Sequence, residues 1–111
     1  MTQSNKKTSD ILELIRQERE RQIAKGFSLE HDDKETNGEL ARAACIYAMP
    51  QDLRQFDFFD FSKPQHRILN IQKKVWPYKE AFNSSYDRIT ELTKAAALIV
   101  AEIERLTRIN V

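Results

Sequence analysis

Glu30, His31, Asp32, Asp33, Glu35 and Glu39 fall within ten residues, the densest acidic run in the sequence. Carboxylate oxygens at that density suit hard cations, Mg²⁺ or Mn²⁺ ahead of zinc, and one histidine among them does not dictate a softer ion. The spacing is not that of an EF-hand, which alternates Asp or Asn around a central glycine and closes on a distal glutamate. The same residues also suit a solvated loop whose acids serve the start of the next helix and nearby arginines, with His31 as a local hydrogen-bond partner. Glu18 and Glu102 extend the candidate set. If the helices carrying Glu18, Glu39 and Glu102 pack side by side, three carboxylates meet in one pocket and repel unless a cation joins them. Glu102 has a simpler alternative, an ion pair with an arginine of a neighbouring helix. The candidate metal ligands are therefore Glu18, His31, Asp32, Asp33, Glu39 and Glu102. Arg21 and Arg42, with Arg19 and Arg105 nearby, could hold phosphate by bidentate contact. Trp76, in Trp76-Pro77-Tyr78, is the candidate aromatic contact, either packing over helix ends or stacking on a ligand.

Several chemistries have no carrier. There is no Gly-rich phosphate loop, nucleophile elbow or zinc helix motif, and His66 stands alone. Cys45 is the single cysteine, which excludes an internal disulfide and a Cys-based zinc site. Eighteen basic and 17 acidic side chains leave a formal charge of +1, so no bulk field gathers nucleic acid or anionic lipid. No apolar run approaches the roughly 18 residues of a spanning helix, and Met1 to Lys7 lacks the apolar centre of a signal peptide, so a cytoplasmic protein with no membrane partner is expected.

The elements that must position these residues read as helices, because glycine occurs twice and proline three times. Residues 1–7 read as a frayed tail and 8–111 as one helical domain. Thr8 or Ser9 caps a first helix that runs to about Lys25 and stops at Gly26, with Phe27 folding back on the last turn. Its apolar stripe, Ile11, Leu12 and Ile15, continues at helical spacing into Glu18, Arg19 and Gln22 before Ile23. Either that second half leaves the core and is solvated, or Glu18 and Gln22, four apart and on one face, line a polar cavity. Residues 28–37 are polar and without period, hence a loop. Asn37 caps a second helix, Leu40 to Ala48, that stops at Pro50 and whose alanines allow close helix contact. From 51 to 83 the pattern is irregular: Asp57-Phe58-Phe59-Asp60-Phe61 is an aromatic cluster between acids, and 67–75 suits a short helix or an extended segment. Ser84 and Asp87 resemble a capping box, and the last helix runs unbroken to about Ile109. In it Ile89, Leu92, Ala96, Ile99, Ile103 and Leu106 keep a 3-4 spacing that faces a partner helix, while Ala95, Ala97, Leu98 and Val100 widen the stripe. The expectation is an all-α compact bundle of three main helices, with an irregular aromatic segment between the second and third, pairing as a homodimer through the last helix.

The order Glu18-Arg19-Glu20-Arg21-Gln22, Gly26-Phe27, Glu30-His31-Asp32-Asp33, Gly38-Glu39-Leu40-Ala41, Ala43-Ala44, Tyr47-Ala48, Trp76-Pro77, Lys94-Ala95 and Ala101-Glu102-Ile103-Glu104-Arg105-Leu106 resembles a family of small phage and prophage proteins over most of 18–108. The resemblance implies phage or prophage ancestry rather than a particular reaction. A tryptophan-rich stretch usual after the Trp-Pro is replaced here by 78–83. A more distant similarity is to MazG-type all-α nucleoside triphosphate pyrophosphohydrolases, whose Glu-x-x-Glu and Glu-x-x-Asp helices hold Mg²⁺ for water attack on a phosphate. Here no Glu-x-x-Glu occurs, Glu30-x-x-Asp33 falls in the loop, and Glu102-x-x-Arg105 ends in the opposite charge; Gly38-Glu39-Leu40-Ala41 alone looks like the start of such a helix. Two function classes follow: a phage-derived accessory protein that binds a protein partner through the acidic loop and the Trp76 corner, or a Mg²⁺- or Mn²⁺-dependent enzyme that binds or cleaves a nucleotide.

Overall fold

A computed structural model describes residues 6–62, 64 and 67–109. Residues 1–5 of the expected tail, and His66, lie outside them. Along the chain come α1 (Thr8–Ala24), α2 (Leu29–Asp33), α3 (Glu39–Ala48), α4 (Gln51–Arg54), β1 (Asp57–Asp60), β2 (Arg67–Asn70), α5 (Ile71–Val75) and α6 (Arg88–Ile109). The protein is mostly helical, as expected, with one small sheet that was not.

The helix ends are set by local chemistry. Lys7 is the N-cap of α1, and its N–H donates to the Asp10 carboxylate at 3.1 Å, so the cap lies one residue before the expected Thr8. At the other end the Phe27 N–H donates to the Gln22 carbonyl at 2.9 Å while Gly26 takes φ 123°, the conformation that favours glycine. The expected 28–37 loop contains α2: the Ser28 hydroxyl accepts from the His31 N–H at 3.2 Å and nucleates a turn and a half, too short to show a period. Before α3 the cap is Gly38, at φ 75°, rather than Asn37, whose N–H instead donates to the Glu39 carboxylate at 2.5 Å. Asp87 caps α6 alone, its carboxylate accepting from the Thr90 N–H at 2.8 Å, so the helix starts at Arg88 and not at Ser84.

The aromatic cluster resolves as an antiparallel β1–β2 pair with Asp57 opposite Asn70 and Asp60 opposite Arg67. Phenylalanines between polar residues fit a pleated strand better than a one-turn helix. Of the two forms weighed for 67–75 both occur, strand to Asn70 and helix from Ile71; the Asn70 side chain caps that helix by accepting from the Lys73 N–H at 3.3 Å.

The core lies where α3 crosses α6: Leu40, Ala43 and Ala44 meet Ala95, Leu98 and Ala101, with Phe27, Tyr47, Ala48, Trp76 and Tyr78 packed against them. Four of the six buried positions are alanine, which lets the two backbones approach but buries little area per residue. Arg88 joins the ends, donating from its guanidinium to the carbonyls of Tyr47 (3.0 Å), Ala48 and Met49 (3.2 Å) at the C-terminus of α3. Among the described residues no helix is long and apolar enough to cross a membrane.

Candidate functional site

The charged half of α1 turns inward. Glu18, Arg19 and Gln22 are buried while Ile11 and Leu12 are exposed, so of the two alternatives for that stripe the polar cavity is the one observed. Glu18 and Gln22 line a cavity of about 240 Å³ between α1, α3 and α6. Its apolar wall is made by Phe27, Tyr47, Trp76, Tyr78 and Tyr86, backed by Ala43 and Leu98. Around it stand Arg21, Lys25 and Lys94.

These groups are held in place by short contacts. The Glu18 carboxylate accepts from Lys94 Nζ at 3.0 Å and from Arg21 at 2.8 and 3.0 Å. Burial opposes its charge, but the bonds from Lys94 and Arg21 prevail and hold the carboxyl below its ordinary range. The Lys94 ammonium also sits 4.5 Å from the centre of the Tyr86 ring. Trp76 donates its indole N–H to the Glu80 carbonyl at 2.7 Å and meets Tyr78 and Tyr47 edge to face at 5.3 and 6.0 Å. Among the described residues two buried side-chain polar atoms find no hydrogen-bond partner, the Gln22 carbonyl oxygen and the Tyr78 hydroxyl, and both belong to side chains that line this cavity. Burial, and then the nearby Glu35 carboxylate, push the Tyr78 hydroxyl up.

The proposed metal ligands are distributed among different partners. Asp32, wholly buried, accepts from Arg19 at 2.8 Å, and Arg19 also donates to Glu104 at 2.8 Å and to the Phe27 carbonyl at 3.3 Å. Asp33 pairs with Arg108 at 2.8 Å and Glu102 with Arg105 at 2.6 Å. His31 Nδ1 lies 3.3 Å from Asp32 and its Nε2 3.5 Å from Glu35, with Phe27 edge-on at 5.1 Å. Glu39 lies beside Glu35: burial first and the hydrogen bond to Glu39 second push Glu35 up to about 7, while the bond from Glu35 holds Glu39 down. Among the described residues no group of three or more His, Cys, Asp or Glu side chains is disposed to hold a metal ion. The convergence of Glu18, Glu39 and Glu102 expected from side-by-side packing does not occur, because each carboxylate meets a nearer partner. Arg21 reaches the cavity; Arg42 is exposed on α3, where its charge helps hold Glu39 down. Within the acidic loop Asp32 and Glu35 are buried while Glu30 and Asp33 are exposed, and Trp76 is half-buried.

A larger cleft of about 420 Å³ lies against α4. Its charged lining is closed on itself, Arg54 donating to Glu91 at 3.0 and 3.3 Å and Arg88 to Glu91 at 3.3 Å.

Sequence reasoning missed Lys25, Tyr47, Tyr86 and Lys94 as cavity residues. Only Lys94 carries a local signal, a lone cation leading into the apolar stretch 95–101 of α6. No protein-family model matches the chain, and neither a curated protein nor a solved structure does.

Proposed function

We propose that the protein is an interaction module that works as a homodimer through the outer face of α6, a small phage-derived accessory protein rather than an enzyme. The observation that carries this is the stripe of Ile89, Leu92, Ile99, Ile103 and Leu106, all exposed, Ile89 at 70%, Ile103 at 55% and Ile99 at 47%. They are spaced as knobs for a facing helix over about 26 Å of α6. The surface area points the same way. A compact monomer of this mass exposes about 6,300 Å², whereas this chain exposes 8297 Å². Its radius of gyration of 16.4 Å also exceeds the roughly 13 Å expected for its length. A standard interface removes about 800 Å² per partner, well within that surplus. A two-fold axis across α6 presents the same stripe to itself and closes the assembly. The metal-dependent nucleotide-cleaving alternative ranks below this reading, because Glu18, Glu39 and Glu102 each answer to a different neighbour.

Sedimentation equilibrium tests the proposal. The wild type is expected near twice 13.0 kDa, and Ile99→Asp/Ile103→Asp near the single-chain mass with unchanged helical circular dichroism. A wild type that stays at the single-chain mass at the highest concentration reached removes the reading.

A further inference from the structure

The cavity between α1, α3 and α6 has three properties that packing alone leaves unexplained. Its wall is aromatic: Trp76 meets Tyr47 and Tyr78 edge to face, and with Tyr86 and Phe27 these rings give a flat apolar group a surface of matching chemistry. Its ionic lining is unbalanced: Arg21, Lys25 and Lys94 face one carboxylate, Glu18, which already serves two of them. One buried polar group is unfinished: the Gln22 carbonyl oxygen lacks a donor, whereas the Tyr78 hydroxyl lies beside the Glu35 carboxylate. A buried acceptor left without a donor is unfavourable, and a ligand bearing a donor would satisfy it.

We infer that this cavity binds a small planar aromatic molecule that carries an anionic group at one end and an N–H or O–H donor at the other. The ring lies among Tyr47, Trp76 and Tyr78, the anionic group meets Lys25 and Arg21, and the donor completes Gln22. The volume of about 240 Å³ falls just under the roughly 300 Å³ at which pockets for drug-sized ligands begin, which favours a single-ring acid. The same chemistry is found in a free aromatic acid and in the base and phosphate of a nucleoside monophosphate. The inference goes beyond the homodimer reading and does not depend on it, because none of these contacts needs a second copy.

Trp76 is the sole tryptophan and lines the cavity, so its indole N–H cross-peak in a ¹H–¹⁵N spectrum of the full chain is a single reporter. The chain is titrated with 4-hydroxybenzoate and its neutral counterpart 4-hydroxybenzamide, and with AMP and its neutral counterpart adenosine. A saturable shift of the Trp76 peak with an acid, at least fivefold weaker with its neutral counterpart, is the expected result. Response to 4-hydroxybenzoate alone assigns a free aromatic acid, and response to AMP alone assigns a nucleotide. In Arg21→Gln/Lys25→Gln, both at exposed positions, the rest of the spectrum is retained and affinity for the acid falls about tenfold, as loss of a charge-assisted contact requires. The inference is overturned if the Trp76 peak stays put with all four compounds, if the neutral molecules bind as tightly as the acids, or if the double variant binds the acid unchanged.

Discussion

The two stripes of α6 are filled in opposite ways. The inner one carries Glu91, Ala95, Leu98 and Arg105, all buried, with Glu102 half-buried. The outer one, one residue further along at each step and so rotated by about 100°, carries Leu92, Ala96, Ile99, Ile103 and Leu106. Four of these five outer positions are large aliphatics, whereas the inner stripe holds one, Leu98, beside an alanine and paired charges. Small inner residues let α3 approach closely and leave room for long side chains such as Arg54 to reach a buried carboxylate. Inside the single chain, paired charges thus take much of the space that apolar side chains would fill, and large aliphatics stand exposed on the outer face of α6.

Breaking the inner pairing should have the largest effect. Glu91→Ala leaves the Arg54 guanidinium buried without its carboxylate, and about 3–5 kcal/mol of unfolding free energy should be lost by urea titration. Replacing both partners, Arg54→Met with Glu91→Leu, should restore most of it; a double variant as weak as the single one would contradict the argument. Next comes the contrast between apolar positions. Leu98→Ala, inside, should cost about 2–4 kcal/mol, whereas Ile103→Ala, outside, should leave the dilute chain nearly unchanged and instead reduce the rise of Tm with protein concentration. Equal effects at the two sites would erase the distinction between the stripes.

A smaller effect tests the Glu35 and Glu39 pair, which also faces His31 and Tyr78. Glu35 titrates near 7 when folded and near its ordinary 4.5 when unfolded. Between those values the unfolded chain ionises while the folded one keeps its proton, so this group's contribution to stability is full below about pH 4.5 and declines as pH rises toward 7. Glu35→Gln should flatten that part of a Tm-against-pH profile; an unchanged slope would assign it elsewhere. The smallest effect belongs to the exposed pairs of Arg16 with Glu13 and Glu20. Arg16→Ala should leave Tm unchanged within error, since solvent and salt screen such pairs.

Much of this architecture was legible in advance, and the exceptions have physical reasons. α1, α3 and α6 were readable from periodicity and from the stops at Gly26 and Pro50, whereas each N-cap moved, from Thr8 or Ser9 to Lys7, from Asn37 to Gly38 and from Ser84 to Asp87. The β1–β2 pair was not readable, because four-residue strands depend on partners seven to thirteen residues away that no local pattern announces. At the site, spacing alone put Glu18 and Gln22 on one face and left two alternatives for it, a solvated face or a polar cavity; the fold selected the cavity. Arg21 and Trp76 were singled out separately, one for phosphate and one for aromatic contact, and the fold brings both to this cavity. Lys94 was not, since its meeting with Glu18 spans 76 residues. The candidate metal ligands show the reverse: among the described residues they do not gather into one group, and carboxylates close in sequence pair with arginines distant in sequence, as Asp32 with Arg19 and Asp33 with Arg108.

The sequence by itself determined which segments are the main helices, to within a few residues, and that α6 bears two stripes, because glycine, proline and periodicity act within a turn or two of the residues that carry them. Only the tertiary structure decided which stripe faces α3. That choice turns on how closely two backbones can approach and which distant charges then meet, quantities that exist only once α1, α3 and α6 are packed together.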